Sequence, residues 1–474
     1  MIRSYSFIVL LLTMITGTAI AAHRRPVSLG LEAGGFSAVR TETGIPEEGF
    51  NLDSVVSGDV TLVRWGYYDQ KFILVDAAGR QIGSVEDLPS GIITNYDAVP
   101  VPGGFELLWL DFDGGFSPWG RRVALDGAWV DPGALPLQGM WDATAGGWDD
   151  EMLFAERAPE GIRWQRISTS GKAVDQPPRA EALAQLFPDH SMAIAGNGDD
   201  RLILLQESPR CSDDCTDLPR LIVLALGRDG APLGLHRTFE PVSSKPLAAG
   251  LPDGTWVVPV GAAETTVLHL SPDGEELERS RVPLLDHVVT ATADSSGWKV
   301  IADHPIRLIR LDGADRAISV TALPDVALPR FGYGDLLVFA DEADFGSPEW
   351  RPSVRPLAMV PGDISLSVQR FASSDPSVVW FEVSVRNDGT STVSNIRVGG
   401  KAAGQPAIEI RIPTIEPGGE RRLWFTMPLS EVPSTIIAAA EGVEDLTPED
   451  NFVEPFSGEE KPPSRRHGVA GPWH

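Results

Sequence analysis

A short phrase made of a strand, a tight turn and a second strand recurs along most of this chain and limits what the chain can fold into. Its clearest copy spans residues 266–277, where Val267 and Leu270 are strand-forming residues ahead of a Pro-Asp-Gly tripeptide at 272–274. Proline presets φ, aspartate bonds to its own backbone and glycine tolerates a positive φ. The phrase therefore predicts two antiparallel strands joined by a turn.

Comparable phrases indicate a repeated unit. Their turn glycines stand 39 to 59 residues apart, at Gly79, Gly127, Gly171, Gly230, Gly274 and Gly313. A second phrase, a Gly or Asp turn followed by an apolar run, occurs seven times, beginning at residues 58, 103, 146, 198, 253, 297 and 334. A period in the forties with several strands per period is typical of a β-propeller.

The predicted fold class is therefore all-β, with residues 27–358 forming a propeller of about seven blades; six or eight blades also fit. Residues 27–41 are expected to supply a strand that closes the ring against the last blade, because closure removes free sheet edges. One segment departs from the repeat, since residues 178–187 have helical composition. Together with the residues up to 219, they are interpreted as an insertion at one end of the ring.

Five tryptophans recur in the second phrase: Trp65, Trp109, Trp148, Trp256 and Trp298. They would serve either as a platform for sugars or as packing between neighbouring blades. We expect packing, because large aromatic side chains at a fixed position of a repeat are typical of cores.

The first 22 residues have the parts of a secretory signal peptide. Arg3 precedes an apolar run at 7–15, and the small residues Ala19 and Ala21 mark a cleavage site. The run is shorter than the roughly 20 residues that span a bilayer, and no later stretch is apolar enough to do so. We expect cleavage rather than a membrane anchor, no membrane span afterwards, and a periplasmic or extracellular protein.

The two cysteines, Cys211 and Cys215, are close together in this predicted exported chain. We therefore predict a small loop-closing disulfide. A metal site is not predicted, because neither a second cysteine pair nor a nearby histidine completes a ligand set. A redox-active pair is not predicted either, because the spacing differs from Cys-x-x-Cys.

The sequence pattern changes after a Pro-rich linker at 351–362. Regular short predicted strands with alternating apolar residues follow. This pattern favours an immunoglobulin-like sandwich. The segments Val-Ser-Val-Arg-Asn-Asp-Gly at 383–389, Ile-Glu-Pro-Gly at 415–418 and Pro-Glu-Asp-Asn at 448–451 resemble the bacterial cell-adhesion-related domain, CARDB. The resemblance covers residues 362–455 and implies an accessory sandwich on an exported bacterial protein, with no catalytic residue. Residues 457–474 are predicted to be a disordered tail.

The formal net charge of −27 argues against nucleic acid as a partner, because an acidic surface repels phosphate. No His-Glu-x-x-His or Gly-x-Ser-x-Gly motif is present. The sequence therefore predicts no catalytic residue, no metal ligand and no cofactor. These absences favour a non-enzymatic binding or surface-interaction protein whose partner is an unknown protein or glycan. The alternative is a carbohydrate-active or other hydrolytic enzyme with scattered site residues in the propeller.

A partner is predicted to dock at the end of the ring that carries the 178–219 insertion. There Asp213 and Asp214 lie between the two cysteines, and a disulfide would hold both carboxylates outward. Preorganised loops on a rigid scaffold are where binding residues concentrate. The alternative is that the bridge only stabilises a long loop.

Overall fold

The computed structural model describes residues 51–455 except for 67–69, 89–96, 112–116, 139–143, 149–150, 184–186, 188, 209–218, 240–245, 261–265, 286–287, 295, 304, 325, 342–350, 358, 374, 401–407 and 434. The predicted signal peptide, closing strand, cysteine pair, Asp213, Asp214 and tail all lie outside the described residues.

Seven antiparallel sheets follow one another along residues 51–356, and each is built from consecutive strands. The first sheet holds β1 Asn51–Ser57, β2 Val60–Gly66, β3 Lys71–Val75 and β4 Gln81–Asp87; the second holds β5 Asp97–Val101, β6 Gly104–Asp111, β7 Ser117–Ala124 and β8 Leu135–Pro136. The third holds β9 Thr144–Trp148, β10 Glu151–Ala158, β11 Gly161–Ser168 and β12 Arg179–Ala182; the fourth holds β13 Asp189–Asn197, β14 Asp200–Ser208, β15 Arg220–Leu226 and β16 Arg237–Phe239.

The fifth sheet holds β17 Ala249–Gly250, β18 Trp256–Val260, β19 Thr266–Leu270 and β20 Glu276–Arg281. The sixth holds β21 Val288–Asp294, β22 Gly297–Ala302, β23 Arg307–Asp312 and β24 Ala317–Ala322, and the seventh holds β25 Val326–Phe331, β26 Leu336–Asp341 and β27 Pro352–Pro356. The described fold is all-β, as predicted from the sequence.

The first strands of the seven sheets form a closed ring. Each of them contacts the first strand of the next sheet, and β25 contacts β1. Two hydrogen bonds join the seventh sheet to the first: Ser54 Oγ donates to the Phe331 carbonyl at 2.7 Å, and the Tyr333 amide donates to Thr61 Oγ1 at 2.9 Å. Contacts among described residues therefore join the seventh sheet to the first, whereas the predicted closing strand at 27–41 lies outside the described residues.

The phrase at 266–277 folds as predicted. It forms β19, a turn and β20. Gly274 has a φ of 83°, and its amide donates to the Ser271 carbonyl at 2.9 Å. This positive φ is the conformation that glycine adopts at low cost, so the turn chemistry read from the sequence is confirmed.

Residues 178–187, which have helical composition, form no helix in their described part. Arg179–Ala182 forms β12, the outermost strand of the third sheet, where Arg179 pairs with Trp164 and Ala182 with Gly161 of β11. Pairing with an open sheet edge outweighs the local helix propensity of alanine, glutamate and leucine. The described residues that follow form β13 and β14, whereas residues 184–186, 188 and 209–218 of the predicted insertion lie outside the described residues.

Apolar clusters fill the spaces between neighbouring sheets. One of them joins Leu62 and Phe72 of the first sheet to Phe105 and Leu107 of the second. The recurring tryptophans Trp65, Trp109, Trp256 and Trp298 are buried in these clusters, whereas the side chain of Trp148 is outside the described set. For those four the prediction of packing between sheets is confirmed.

Two further sheets pack face to face after the seventh. One orders its strands β29-β30-β33 and the other β32-β31-β34-β36. The strands of these two sheets are β29 Ile364–Ala372, β30 Val378–Asn387, β31 Val393–Gly400, β32 Ile408–Ile415, β33 Glu420–Pro428, β34 Ile436–Ala440 and β36 Phe452–Val453. Two short strands of the same region, β28 Val360–Gly362 and β35 Val443–Asp445, extend the sixth sheet instead. Single 3₁₀ turns occur at Leu429–Glu431 and Pro448–Asp450. A continuous apolar core, which includes Phe381 and Ile396, lies between the two sheets.

This sandwich is docked on the outer edge of the sixth sheet. β24 pairs with β35, and β35 in turn pairs in parallel with β28. Ile437 and Ala439 of the sandwich share an apolar cluster with the fifth and sixth sheets. Arg281 forms an ion pair with Glu454 at 2.6 Å across the same junction. The two parts are therefore held together by shared core, backbone pairing and charge.

Within the part of the chain that the structure describes, no helix has the length and hydropathy needed to cross a membrane.

Candidate functional site

A cavity of about 480 Å³ opens at one end of the ring, where the first and second strands of the sheets are joined by hairpins. Its lining comes from four consecutive sheets, through residues 57–58, 100–103, 146–147, 196, 198–199 and 201, together with Leu125 and Ile194. This volume lies within the range of sites that hold small ligands or single side chains.

Glycine residues in the walls of this cavity allow neighbouring sheets to approach closely. A Cβ on Gly147 would fall well inside contact distance of the Pro100 carbonyl, and one on Gly146 would meet Ile194 Cγ2 at 2.8 Å. The first strands of the second, third and fourth sheets can approach one another only because these side chains are absent. The cavity is thus bounded by backbone and by a few apolar side chains such as Val101.

Two charged residues line the cavity. Arg201 is largely buried, and it donates from Nε to the Gly147 carbonyl at 2.8 Å and from Nη1 to the Gly198 carbonyl at 2.7 Å. Asp199 is exposed, and its Oδ2 lies 3.4 Å from Arg228 Nη1. One guanidinium bonded to backbone carbonyls and one carboxylate at the rim do not form an acid–base pair for catalysis.

At the opposite end of the fourth sheet, a buried carboxylate is held between two arginines. Arg157 Nε donates to Glu207 Oε1 at 3.1 Å, and Arg220 Nη2 donates to Glu207 Oε2 at 2.8 Å. Glu207 and Arg220 stand on either side of segment 209–218, which contains the predicted docking residues. The structure brings this ion cluster to the base of the predicted docking loop, although the loop itself is outside the described residues. Removal of the Glu207 carboxylate would leave the charges of Arg157 and Arg220 without their shared counterion.

A histidine, a serine and an aspartate meet between the fifth and sixth sheets. His269 Nε2 lies 2.8 Å from Asp315 Oδ2, and Ser280 Oγ donates to the same oxygen. The hydrogen bond to Asp315 raises the pKa of His269, against the opposing effect of burial. The serine and the histidine both bond to the aspartate rather than to each other, so this cluster lacks the hydroxyl–imidazole contact of an activated nucleophile.

Glu106 on β6 is a fully buried carboxyl group without a hydrogen-bond partner among the described residues. Its cross-strand neighbour Arg122 bonds to Asp131 instead. Burial, reinforced by the charge of Asp131, raises the pKa of Glu106 to about 8. Sequence reasoning missed this residue, although the signal was present: a lone acidic residue between Phe105 and Leu107 in an apolar strand.

Among the described residues, no three His, Cys, Asp or Glu side chains come close enough together to hold a metal ion. The sequence-predicted disulfide pair Cys211 and Cys215 and the predicted binding residues Asp213 and Asp214 lie in segment 209–218, beyond what the structure describes. The cavity at the hairpin end and the charged clusters were not predicted, because their members come from separate repeats.

No family model and no curated protein matches this chain. Solved structures with similarity include a prolyl endopeptidase, with 11% identity and a TM-score of 0.40 over 76% of this chain and 56% of that chain. The chain thus spans little more than half of that enzyme. A structure of BBS1N in complex with ARL6DN has 11% identity and a TM-score of 0.35, over 67% of this chain and 95% of that one. A eukaryotic initiation factor has 11% identity and a TM-score of 0.34, over 84% and 98%. None of these similarities reaches a TM-score of 0.5.

Proposed function

We propose that this chain is an exported bacterial protein that binds a partner without catalysing a reaction. In this proposal the seven sheets are the blades of a propeller, and the sandwich after residue 362 is an immunoglobulin-like domain of the CARDB type. The closed ring of first strands supports the first part. The second part is supported by two residues of the resemblance: Asn387 and Asn451 are buried, and each amide donates to a backbone carbonyl, at 2.9 Å to Ile415 and at 3.1 Å to Ala438.

The observation that carries the proposal is the cavity at the hairpin end. Its walls are apolar at Val101, Leu125 and Ile194, and the exposed Asp199 supplies a carboxylate at the rim. Such a site suits an extended peptide segment in which an apolar side chain enters the cavity and a neighbouring basic residue meets Asp199. A rigid scaffold lowers the ordering cost of this kind of binding.

The alternative is a hydrolytic enzyme, which would need carboxylates together with an arginine or a tyrosine at the centre of the ring. Among the described lining residues, only Asp199 and Arg201 are charged. Arg201 is already bonded to the carbonyls of Gly147 and Gly198, which favours a structural role for it. The lining therefore supports binding over hydrolysis.

The test is an array of short peptides of random sequence probed with the full secreted chain. We expect the bound peptides to share an apolar residue next to Lys or Arg, and Asp199→Lys to abolish their capture. Asp59→Lys is the matched control, because Asp59 is an exposed aspartate in the hairpin of the first sheet that does not line the cavity. Capture that is unchanged by Asp199→Lys, or cleavage of peptide or glycan substrates in a parallel screen, would overturn the proposal.

A further inference from the structure

The sandwich carries an exposed group of aromatic side chains on the outward face of the sheet β29-β30-β33. Trp380 on β30 and Trp424 on β33 are 44% and 55% exposed, and Phe371 on β29 is half-buried. We call these three residues the aromatic platform. They differ from the tryptophans of the ring, such as Trp256 and Trp298, which are fully buried. Exposed tryptophans on one sheet face are unusual for a surface without a ligand.

Strand register places the three side chains together. Phe371 pairs with Trp380, and Glu382, two residues further along β30, pairs with Trp424. The side chains of Val379, Phe381 and Val383 alternate with these and point into the sandwich core. The outward direction of Trp380 and Glu382 follows from the two-residue period of a strand.

The rings of Phe371 and Trp424 stack across the central strand. Their centroids are 5.4 Å apart, with an angle of 30° between the ring planes. The stack fixes the orientation of Trp424, and more than half of this side chain still meets solvent. A preoriented ring binds a ligand with little further loss of side-chain entropy.

Charged groups beside the platform are paired with one another. Arg422 Nη1 lies 3.4 Å from Glu382 Oε1, and Arg422 Nε donates to Glu420 Oε1 at 2.9 Å. The neighbouring Gln369 is exposed and contributes an uncharged amide. The platform therefore offers ring faces bordered by donors and acceptors, and it does not present one sign of charge to a ligand.

We propose that the aromatic platform binds a neutral β-1,4-linked polysaccharide. In β-1,4-glucan and chitin the ring substituents are equatorial, so the axial C–H groups give each pyranose ring a flat apolar face that stacks on tryptophan. The equatorial hydroxyls would reach Gln369, Glu382 and Arg422 at the border. The inference is independent of the cavity in the ring, and its failure would leave the peptide-binding proposal intact.

A second copy of the chain fits this surface less well. Aromatic side chains contribute ~150–250 Å² each when buried. Because Trp380 and Trp424 are only about half exposed, the three side chains have roughly 300 Å² left to bury, which falls well short of the ~800 Å² per partner that a stable protein–protein interface buries. A sugar chain of a few residues needs no larger surface than the platform provides.

The experiment is affinity electrophoresis of the full chain in native gels with and without hydroxyethyl cellulose, with tryptophan fluorescence on addition of cellohexaose and chitohexaose. We expect retardation in the polysaccharide gel and a change in emission with at least one oligosaccharide. Trp424→Ala and Trp380→Ala should each weaken binding about tenfold, the loss of one aromatic stacking contact. Leu277→Ala, which removes an exposed apolar side chain of the fifth sheet, should leave binding unchanged.

Two results would overturn the inference. One is unchanged mobility in the gel together with no fluorescence response to either oligosaccharide. The other is retardation that survives in the Trp380→Ala/Trp424→Ala double variant, because the sugar would then bind elsewhere on the chain. Melting curves of both variants distinguish a lost platform from a misfolded sandwich. If the alanine variants unfold, Trp424→Gln keeps the bulk of a side chain there and must still lose retardation.

Discussion

Asp131 accepts three hydrogen bonds from Arg122: its Oδ2 accepts from the arginine amide and Nε at 3.0 and 3.1 Å, and its Oδ1 accepts from Nη2 at 2.6 Å. Arg166 and Asp175 repeat the arrangement in the next sheet, with distances of 3.1, 3.0 and 3.1 Å. In both sheets the arginine lies before the turn glycine and the aspartate after it. We call each of these arginine–aspartate pairs a clamp. Each clamp fixes the chain that returns after the turn at the outer part of its sheet.

Asp131→Asn is expected to lower the free energy of unfolding by about 2 kcal/mol, because it leaves the Arg122 guanidinium without its counterion. Hydrogen bonds from Arg122 lower the pKa of Asp131, so its contribution is present above the unfolded pKa near 3.8 and is lost as the pH falls through the lower folded value. Urea unfolding at neutral pH and at acidic pH measures both effects. Asp126→Asn, in the exposed turn of the same hairpin, should change stability little; equal losses in both variants would contradict the role of the clamp.

Glu106→Gln is expected to stabilise the protein at alkaline pH. The pKa of Glu106 is raised from 4.5 to about 8, so the folded state retains a proton that the unfolded state releases. Stability of the wild type should therefore decline as the pH rises from about 4.5 to 8, by a few kcal/mol in total.

Thermal unfolding of both proteins across this pH range gives the measurement. The variant should match the wild type near pH 4 and exceed it near pH 9. Glu160→Gln serves as the control, because Glu160 is exposed in a turn of the third sheet. Parallel pH profiles of wild type and Glu106→Gln would show that Glu106 is not protonated in the folded state.

Asp315→Asn is expected to lower the pKa of His269 toward 6.5, because the hydrogen bond and charge of Asp315 raise it. Asp315 has a φ of 60°, a conformation that asparagine also tolerates, so the change removes charge with little backbone strain. The contribution of protonated His269 to stability is complete below pH 6.5 and is lost as the pH rises through its folded pKa. Titration of the imidazole by NMR in both proteins tests this, and an unchanged His269 pKa would rule out the coupling.

Gly147→Ala is expected to destabilise the ring by about 2 kcal/mol or more, because its Cβ would collide with the Pro100 carbonyl of the neighbouring sheet. Gly133→Ala is the control, because no atom lies within 4 Å of a Cβ at that position. Denaturant unfolding of the two variants measures the change in the free energy of unfolding. Similar stability of the two would mean that the sheets can separate at the cavity without cost.

The sequence predicted the strands and turns of the ring well, because their signals are local. Six of the seven Gly- or Asp-led phrases coincide with second strands of the sheets, and the third, which begins at Gly146, starts within β9 and continues into β10. Val63 and Trp65 of β2 are buried as their pattern indicates. Each such phrase carries its own turn chemistry and needs no distant partner to be recognised.

Features that depend on contacts between repeats were not predicted. Residues 179–182 form β12 because they pair with the edge of β11. The cavity depends on the close approach of Gly147 in the third sheet to Pro100 in the second. The aromatic platform was also missed, although the alternation of Val379 and Phe381 already placed Trp380 on the opposite face. Its partner Trp424 is separated from Trp380 by a whole intervening hairpin, and one-dimensional patterns do not pair such residues.

The hydrogen bond between Ser54 and Phe331 connects residues 277 positions apart. During synthesis the first sheet leaves the ribosome long before the seventh, so the side chains of Leu52, Val63 and Trp65, which pack with Leu336 and Val338, lack these partners while six more sheets are made. Contacts of such sequence separation form slowly. Closing of the ring is therefore expected late in folding, and a nascent chain stopped before residue 326 lacks the seventh sheet that helps to bury these side chains.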